Sequence, residues 1–188
     1  MIHATATVRK HRVDIAEWRR LGEANIFPEN IRVELIDGEI FEMPPIGSNH
    51  GSHVKRLNRL FASLIHDRAI IAVQDPVQLG RYSEPQPDFM LLRPAADFYS
   101  DQHPGPDDVL LLIEVADNSI QFDRRKKLTL YASHHIPEYW LLNLNENRLE
   151  VYREPRDKAY GRKMTLISGD RISLLQLPEI EIDIKDIL

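Results

Sequence analysis

Apolar residues at Val54, Leu57, Leu60, Phe61, Leu64 and Ile65 recur at intervals of three and four, which predicts an amphipathic helix from His50 to about Asp67. Lys55, Arg56 and Arg59 fall on its opposite face. A shorter stripe, Ile15, Trp18 and Leu21, follows Asp14, a residue suited to cap a helix N-terminus. Arg32 to Ile36 and Glu39 to Met43 flank Asp37-Gly38, the dipeptide that most strongly signals a tight β-hairpin. Further strands are predicted at Ala69 to Val73, Pro76 to Leu79 and Asp88 to Leu92, followed by a long loop from Arg93 to Asp107. Asp108 to Val115 is almost continuously aliphatic, as in a strand covered on both faces. A second helix from Asp123 to about His134, strands at Tyr139 to Leu144 and Leu149 to Tyr152, and more strands and turns through Ile184 complete the pattern. Strands interleaved with a few helices predict a mixed α/β sheet.

The chain has 188 residues without repeats or low-complexity linkers, so a single domain over residues 1–188 is expected. Its longest aliphatic stretch, Val109 to Ile113, is five residues, against the ~20 a membrane-spanning helix needs. The polar segment Met1 to Lys10 has no apolar centre and cleavage site of the secretory kind, which makes the cytoplasm the expected address. With no cysteine, the chain has no disulfides, thiolate nucleophile, iron–sulfur cluster or sulfur-built zinc finger, so any metal must sit on oxygen or imidazole. The net charge of −5 argues against a broad basic coat for nucleic acid but leaves room for a local basic groove.

Glu114 interrupts the aliphatic run where its neighbours call for a dry interior. A buried carboxylate neutralises, pairs or coordinates a cation; alternatively the strand ends there and Glu114 reaches solvent. Asp88 opens another apolar strand after Pro85-Gln86-Pro87, whose prolines hold the chain extended. Strands lie ~4.8 Å apart, so carboxylates on adjacent strands can share one ion, and hard oxygen ligands suit Mg2+ or Mn2+. Arg124-Arg125-Lys126-Lys127 would lie in the first turns of the second helix, where the macrodipole opposes them. A nearby phosphate would compensate, or the run is a solvated face. His50 and His53 have HxxH spacing, and His134-His135 read as surface residues.

Taken together, Glu34-Leu35-Ile36-Asp37-Gly38-Glu39, Pro87-Asp88, Glu114-Val115, Lys127-Leu128-Thr129-Leu130-Tyr131-Ala132 and Pro137-Glu138-Tyr139-Trp140 resemble, in this order, the Uma-type restriction endonuclease family of the PD-(D/E)XK nuclease superfamily. The resemblance spans roughly Val13 to Arg153. It implies a restriction-endonuclease-like mixed central sheet flanked by helices, with an N-terminal helix and hairpin. It further implies that Asp88 and Glu114 bind the metal, that Glu34 is an additional acid, and that Lys127 is the catalytic lysine, with Lys126 as the alternative. The superfamily's usual lysine position, two residues after the glutamate, holds Ala116 here, so the lysine would come from the following helix.

The expected activity is thus Mg2+- or Mn2+-dependent hydrolysis of DNA phosphodiesters. Lys55, Arg56, Arg59, Arg124, Arg125 and Lys126 would track the backbone, with His50 on the substrate side. Two rivals are a catalytically inactive binding or assembly module, in which a Glu–Lys pair satisfies Glu114, and a hydrolase of small phosphorylated substrates. Cutting a palindromic duplex would call for a homodimer. The Arg93 to Asp107 loop would cover substrate or form a subunit contact, and Tyr139-Trp140 would belong to the core.

Overall fold

A computed structural model describes residues 8–188, so the first seven residues of the Met1 to Lys10 segment lie outside it. Asp14 caps the first helix, α1 (Ile15–Glu23), by accepting the Glu17 amide at 2.9 Å. The hairpin follows as β1 (Arg32–Ile36) and β2 (Glu39–Met43). Both turn residues have positive φ, Asp37 at 54° and Gly38 at 79°, the conformation an Asp-Gly turn allows. A Cβ at Gly38 would meet the Arg12 Cβ at 2.7 Å, so glycine is required there twice over.

The long helix is α2 (Ser48–Ile65), and its stripe of Val54, Leu57, Phe61 and Ile65 is buried. It covers one face of a six-stranded sheet made of β3 (Ile70–Ala72), β4 (Phe89–Leu92), β5 (Val109–Ala116), β6 (Glu138–Asn143), β7 (Arg148–Arg156) and β8 (Ala159–Leu166), in sequential order. Every neighbouring pair is antiparallel except β5 and β6, the one junction that needs a crossover helix. A small C-terminal pair, β9 (Arg171–Ser173) and β10 (Glu181–Asp183), adds Ile172 and Ile182 to the α2 side of the core. The opposite face is covered by Ile36 of the hairpin and by Leu130, Tyr131 and Ile136 from the crossover. No helix among the described residues is long and apolar enough to cross a membrane.

Three expectations change. Pro76 to Leu79 is extended but not a strand, because the amides of Val77 and Leu79 donate to Pro85 and Ser83 while Pro85 has no N–H to return a bond. The loop after β4 does not cover the cavity described below. It leaves the end of β4 away from Asp88, and none of residues 93–107 lines that cavity. The crossover helix begins at Ile120 rather than Asp123, as α3 (Ile120–Phe122), a π-helical turn (Asp123–Lys127) and α4 (Leu128–Ser133). The basic run therefore lies beyond the first turn, and the macrodipole argument against it loses its force. Phe122 anchors the early start by packing on Phe41, with ring centroids 5.1 Å apart. Trp140 and Tyr139 are fully buried, as expected.

Candidate active site

Continuing the β4–β5 register by one residue brings Asp88 opposite Glu114, on one face of the sheet. Glu114 alternates with Leu112 and Ala116, so it points toward the hairpin and the crossover helix. On the hairpin, Glu34 sits two residues before Ile36 and faces the same space. The π-helical turn supplies Asp123 and Lys127, both buried, and turns Arg124 and Arg125 away. A cavity of about 110 Å3 results, lined by Glu34, Asp88, Glu114, Asp117, Asp123 and Lys127, with Arg32, His50 and the apolar rim of Pro44, Pro45 and Ile46. All four residues of the expected catalytic set thus meet in one place. Single-turn π-helices recur at functional sites because they re-aim side chains out of the α-helical register.

The ammonium of Lys127 donates to Glu114 Oε1 at 2.9 Å and lies 3.1 Å from Glu34 Oε2. The Tyr131 hydroxyl donates to the same Glu114 oxygen at 2.6 Å. One ammonium cannot offset this many acids. Burial drives the Glu114 carboxyl well above its ordinary range, against the opposing pull of Lys127. Burial likewise pushes Asp123 up to about 6, although Lys127 and a hydrogen bond from Ser119 pull it down. Lys127 is itself raised, because its acidic neighbours outweigh the cost of burying its charge. Burial would also raise Asp88, but His50 outweighs it, and the acid ends below its usual value. Asp88 therefore stays ionised while Glu114 tends to hold a proton.

Asp88 Oδ2 accepts from the Val115 amide and from His50 Nε2, both at 2.9 Å. Its Oδ1 has only a 3.4 Å approach from Gln74. His53 does not join His50 but bonds the Asn49 carbonyl of its own helix. Lys126 lies outside the cavity, 2.9 Å from Asp37, which leaves Lys127 as the lysine at the acids. Among the other expected cations, Arg124 bonds Glu150, Arg56 bonds the Leu188 carbonyl, and Lys55, Arg59 and Arg125 are exposed; none lines the cavity. Asp123 and Tyr131 were missed as site residues. Their signal is the spacing Asp123-x3-Lys127-x3-Tyr131, which aligns three polar groups along one helical face.

The site fits a hard divalent ion. Among the described residues no three His, Asp or Glu side chains form a ready cage. Two carboxylates on adjacent strands with space for several waters, however, are what Mg2+ uses. Glu34 Oε2 is buried beside that space with no hydrogen bond of good geometry, its one charged neighbour being the Lys127 ammonium at 3.1 Å.

The raised Asp123 carboxyl has a consequence for stability. The folded protein binds its proton more tightly than the unfolded chain, so stability falls as pH rises from about 4 to about 6, by at most about 3 kcal/mol. Asp123→Asn is expected to make the melting temperature less steep in pH over that interval; an unchanged profile would assign the slope elsewhere.

The architecture is that of a nuclease fold. Over 89% of this chain and 96% of the other, it superposes on the crystal structure of a putative nuclease belonging to DUF820 from Anabaena variabilis, with a TM-score of 0.68 and 16% sequence identity. The sequence itself specifies the family: residues 16–185 match Uma2, described as "Putative restriction endonuclease", and the chain belongs to that family. A search of curated proteins returns no match.

Proposed function

We propose that the protein is a divalent-metal-dependent endonuclease that hydrolyses DNA phosphodiesters in this cavity. The observation that carries the reading is the convergence of Asp88 and Glu114, from adjacent strands, with a buried lysine in a cavity where carboxylates outnumber cations. Asp88 and Glu114 are the residues that would hold Mg2+ or Mn2+, with Glu34 beside them. Bound there, the ion would acidify water at neutral pH and neutralise charge on the scissile phosphate.

The remaining roles belong to the chain. Lys127 keeps its proton, so it serves as a fixed positive charge and hydrogen-bond donor for the developing phosphate charge, not as a base. Asp123, pushed up to about 6, is a cavity acid able to exchange a proton near neutral pH. His50 and the Val115 amide hold Asp88 in one orientation, leaving Oδ1 with only the long approach from Gln74. The apolar rim at Pro44, Pro45 and Ile46 shields one side of the cavity from solvent.

Supercoiled plasmid incubated with Mg2+ or Mn2+ should be nicked or linearised by the parent and left intact by Glu114→Ala. Plasmid that survives the parent, or equal cutting by the variant, sinks the reading. A second reading has its own support: Lys127 already bridges Glu34 and Glu114, as in a catalytically inactive nuclease-like module used for nucleic-acid binding or assembly. That reading expects no saturable divalent binding in calorimetry and no thermal shift on adding the ion.

A further inference from the structure

On the same face of the sheet as Glu114, a second charged cluster surrounds Glu150. The pairings of Glu114 with Leu141 and of Leu141 with Glu150 place it two strands away, roughly 9.6 Å at ~4.8 Å per strand. Glu150 is fully buried, and its carboxylate is saturated. It accepts from Arg124 at 2.6 and 3.3 Å, Arg148 at 3.1 Å and the Tyr152 hydroxyl at 2.5 Å, and Lys163 lies at 2.9 Å. Burial would raise its pKa, but these hydrogen bonds prevail and hold it down to about 2.

The three cations are not matched by acids. Besides Glu150, the other acid paired to them is Glu146, 2.5 Å from Arg148, which leaves three positive charges against two negative. Donors are left over as well. Arg148 Nε is buried without an acceptor, and Lys163, 46% exposed, has one carboxylate contact for its three N–H groups. Arg124 and Arg148 also reach solvent, at 26% and 32% side-chain exposure. A buried carboxylate that fans three cations toward solvent, with donors to spare, is prepared for an anion with several oxygens.

We infer that Arg124, Arg148 and Lys163, held in position by Glu150, form a phosphate-binding site for the nucleic-acid backbone. The ligand's identity rests on the nuclease reading. At that separation, the cluster and Glu114 can contact nearby phosphates of the same duplex. Arg124 ties the two places together: it leaves the same π-helical turn as Asp123 and Lys127 but reaches over to β7.

The test is fluorescence anisotropy of a short labelled duplex between about 50 and 200 mM salt, with Ca2+ replacing Mg2+. It compares the parent with Lys163→Met, Lys163→Met/Arg148→Met and, as a control on the far side of the fold, Arg171→Met. Each cation removed from the cluster should reduce the slope of log affinity against log salt by about 0.9, weakening binding about eightfold at 0.1 M salt. Arg171→Met should match the parent. A parent that shows no salt-dependent binding, or a double variant that keeps the parent's slope, overturns the inference. If the double variant melts early, Lys163→Met on the exposed strand β8 carries the test alone. Plasmid cleavage by the parent is read separately. Cutting with an unchanged slope refutes this site alone, and a reduced slope without cutting refutes the nuclease reading alone.

Discussion

Replacing Lys127 by methionine is expected to lower the melting temperature of the metal-free protein by roughly 6–20 °C, corresponding to about 3–5 kcal/mol lost when a buried ion pair is left with one partner. Lys127 is 2% exposed and sits between Glu34 and Glu114, so its removal leaves two buried carboxylates without the cation that pairs them. The loss should grow with pH, because Glu114 can escape by holding a proton only below its raised folded value. Added Mg2+ or Mn2+ should restore much of the loss in the proposed enzyme, since the ion takes over the neutralising charge. Cleavage should still fall about 10²- to 10³-fold, the scale of losing one donor to a developing anion. Thermal melts with and without the divalent ion, run beside plasmid cleavage, check both arms. Stability restored by the ion with full activity retained would remove Lys127 from the chemistry.

Asp88→Asn should have the second large effect, on ion binding rather than on stability. The amide oxygen of asparagine can still accept from Val115, so the strand end keeps its backbone contact. What disappears is an acid whose ionised form His50 favours, whereas burial raises Glu114 and Asp123. Divalent affinity in calorimetry should drop by more than the 10–100-fold typical of changing a group behind a ligand. Cleavage should fall at least as far. Parent-like binding by Asp88→Asn would place the ion elsewhere, and its absence from both proteins would favour the assembly reading.

Much of this molecule is legible along the chain because its elements are locally determined. The Asp37-Gly38 turn, the Asp14 cap and the three-and-four spacing from Val54 to Ile65 each arise from contacts within a few residues. Glu114 is legible for another reason: a lone acid in an aliphatic run is costly anywhere in the interior, so it announces a site before its partners are known. The errors have physical causes too. Pro76 to Leu79 has the composition of a strand but faces a proline that cannot return a hydrogen bond. The crossover helix starts early because Phe122 finds Phe41, a contact 81 positions away that no local rule contains.

The sequence by itself determined the hairpin and the central aliphatic strand, and its family resemblance singled out Glu34, Asp88 and Glu114 as candidate acids with Lys127 or Lys126 as the candidate lysine. Only the tertiary structure decided that Asp88 and Glu114 share a face, that Lys127 rather than Lys126 points inward, and that Asp123 and Tyr131 belong with them. The reason is that side-chain type and short-range periodicity are written in each segment. Strand register and the π-helical turn are settled instead by packing between segments distant along the chain, and they determine which charges are buried against which.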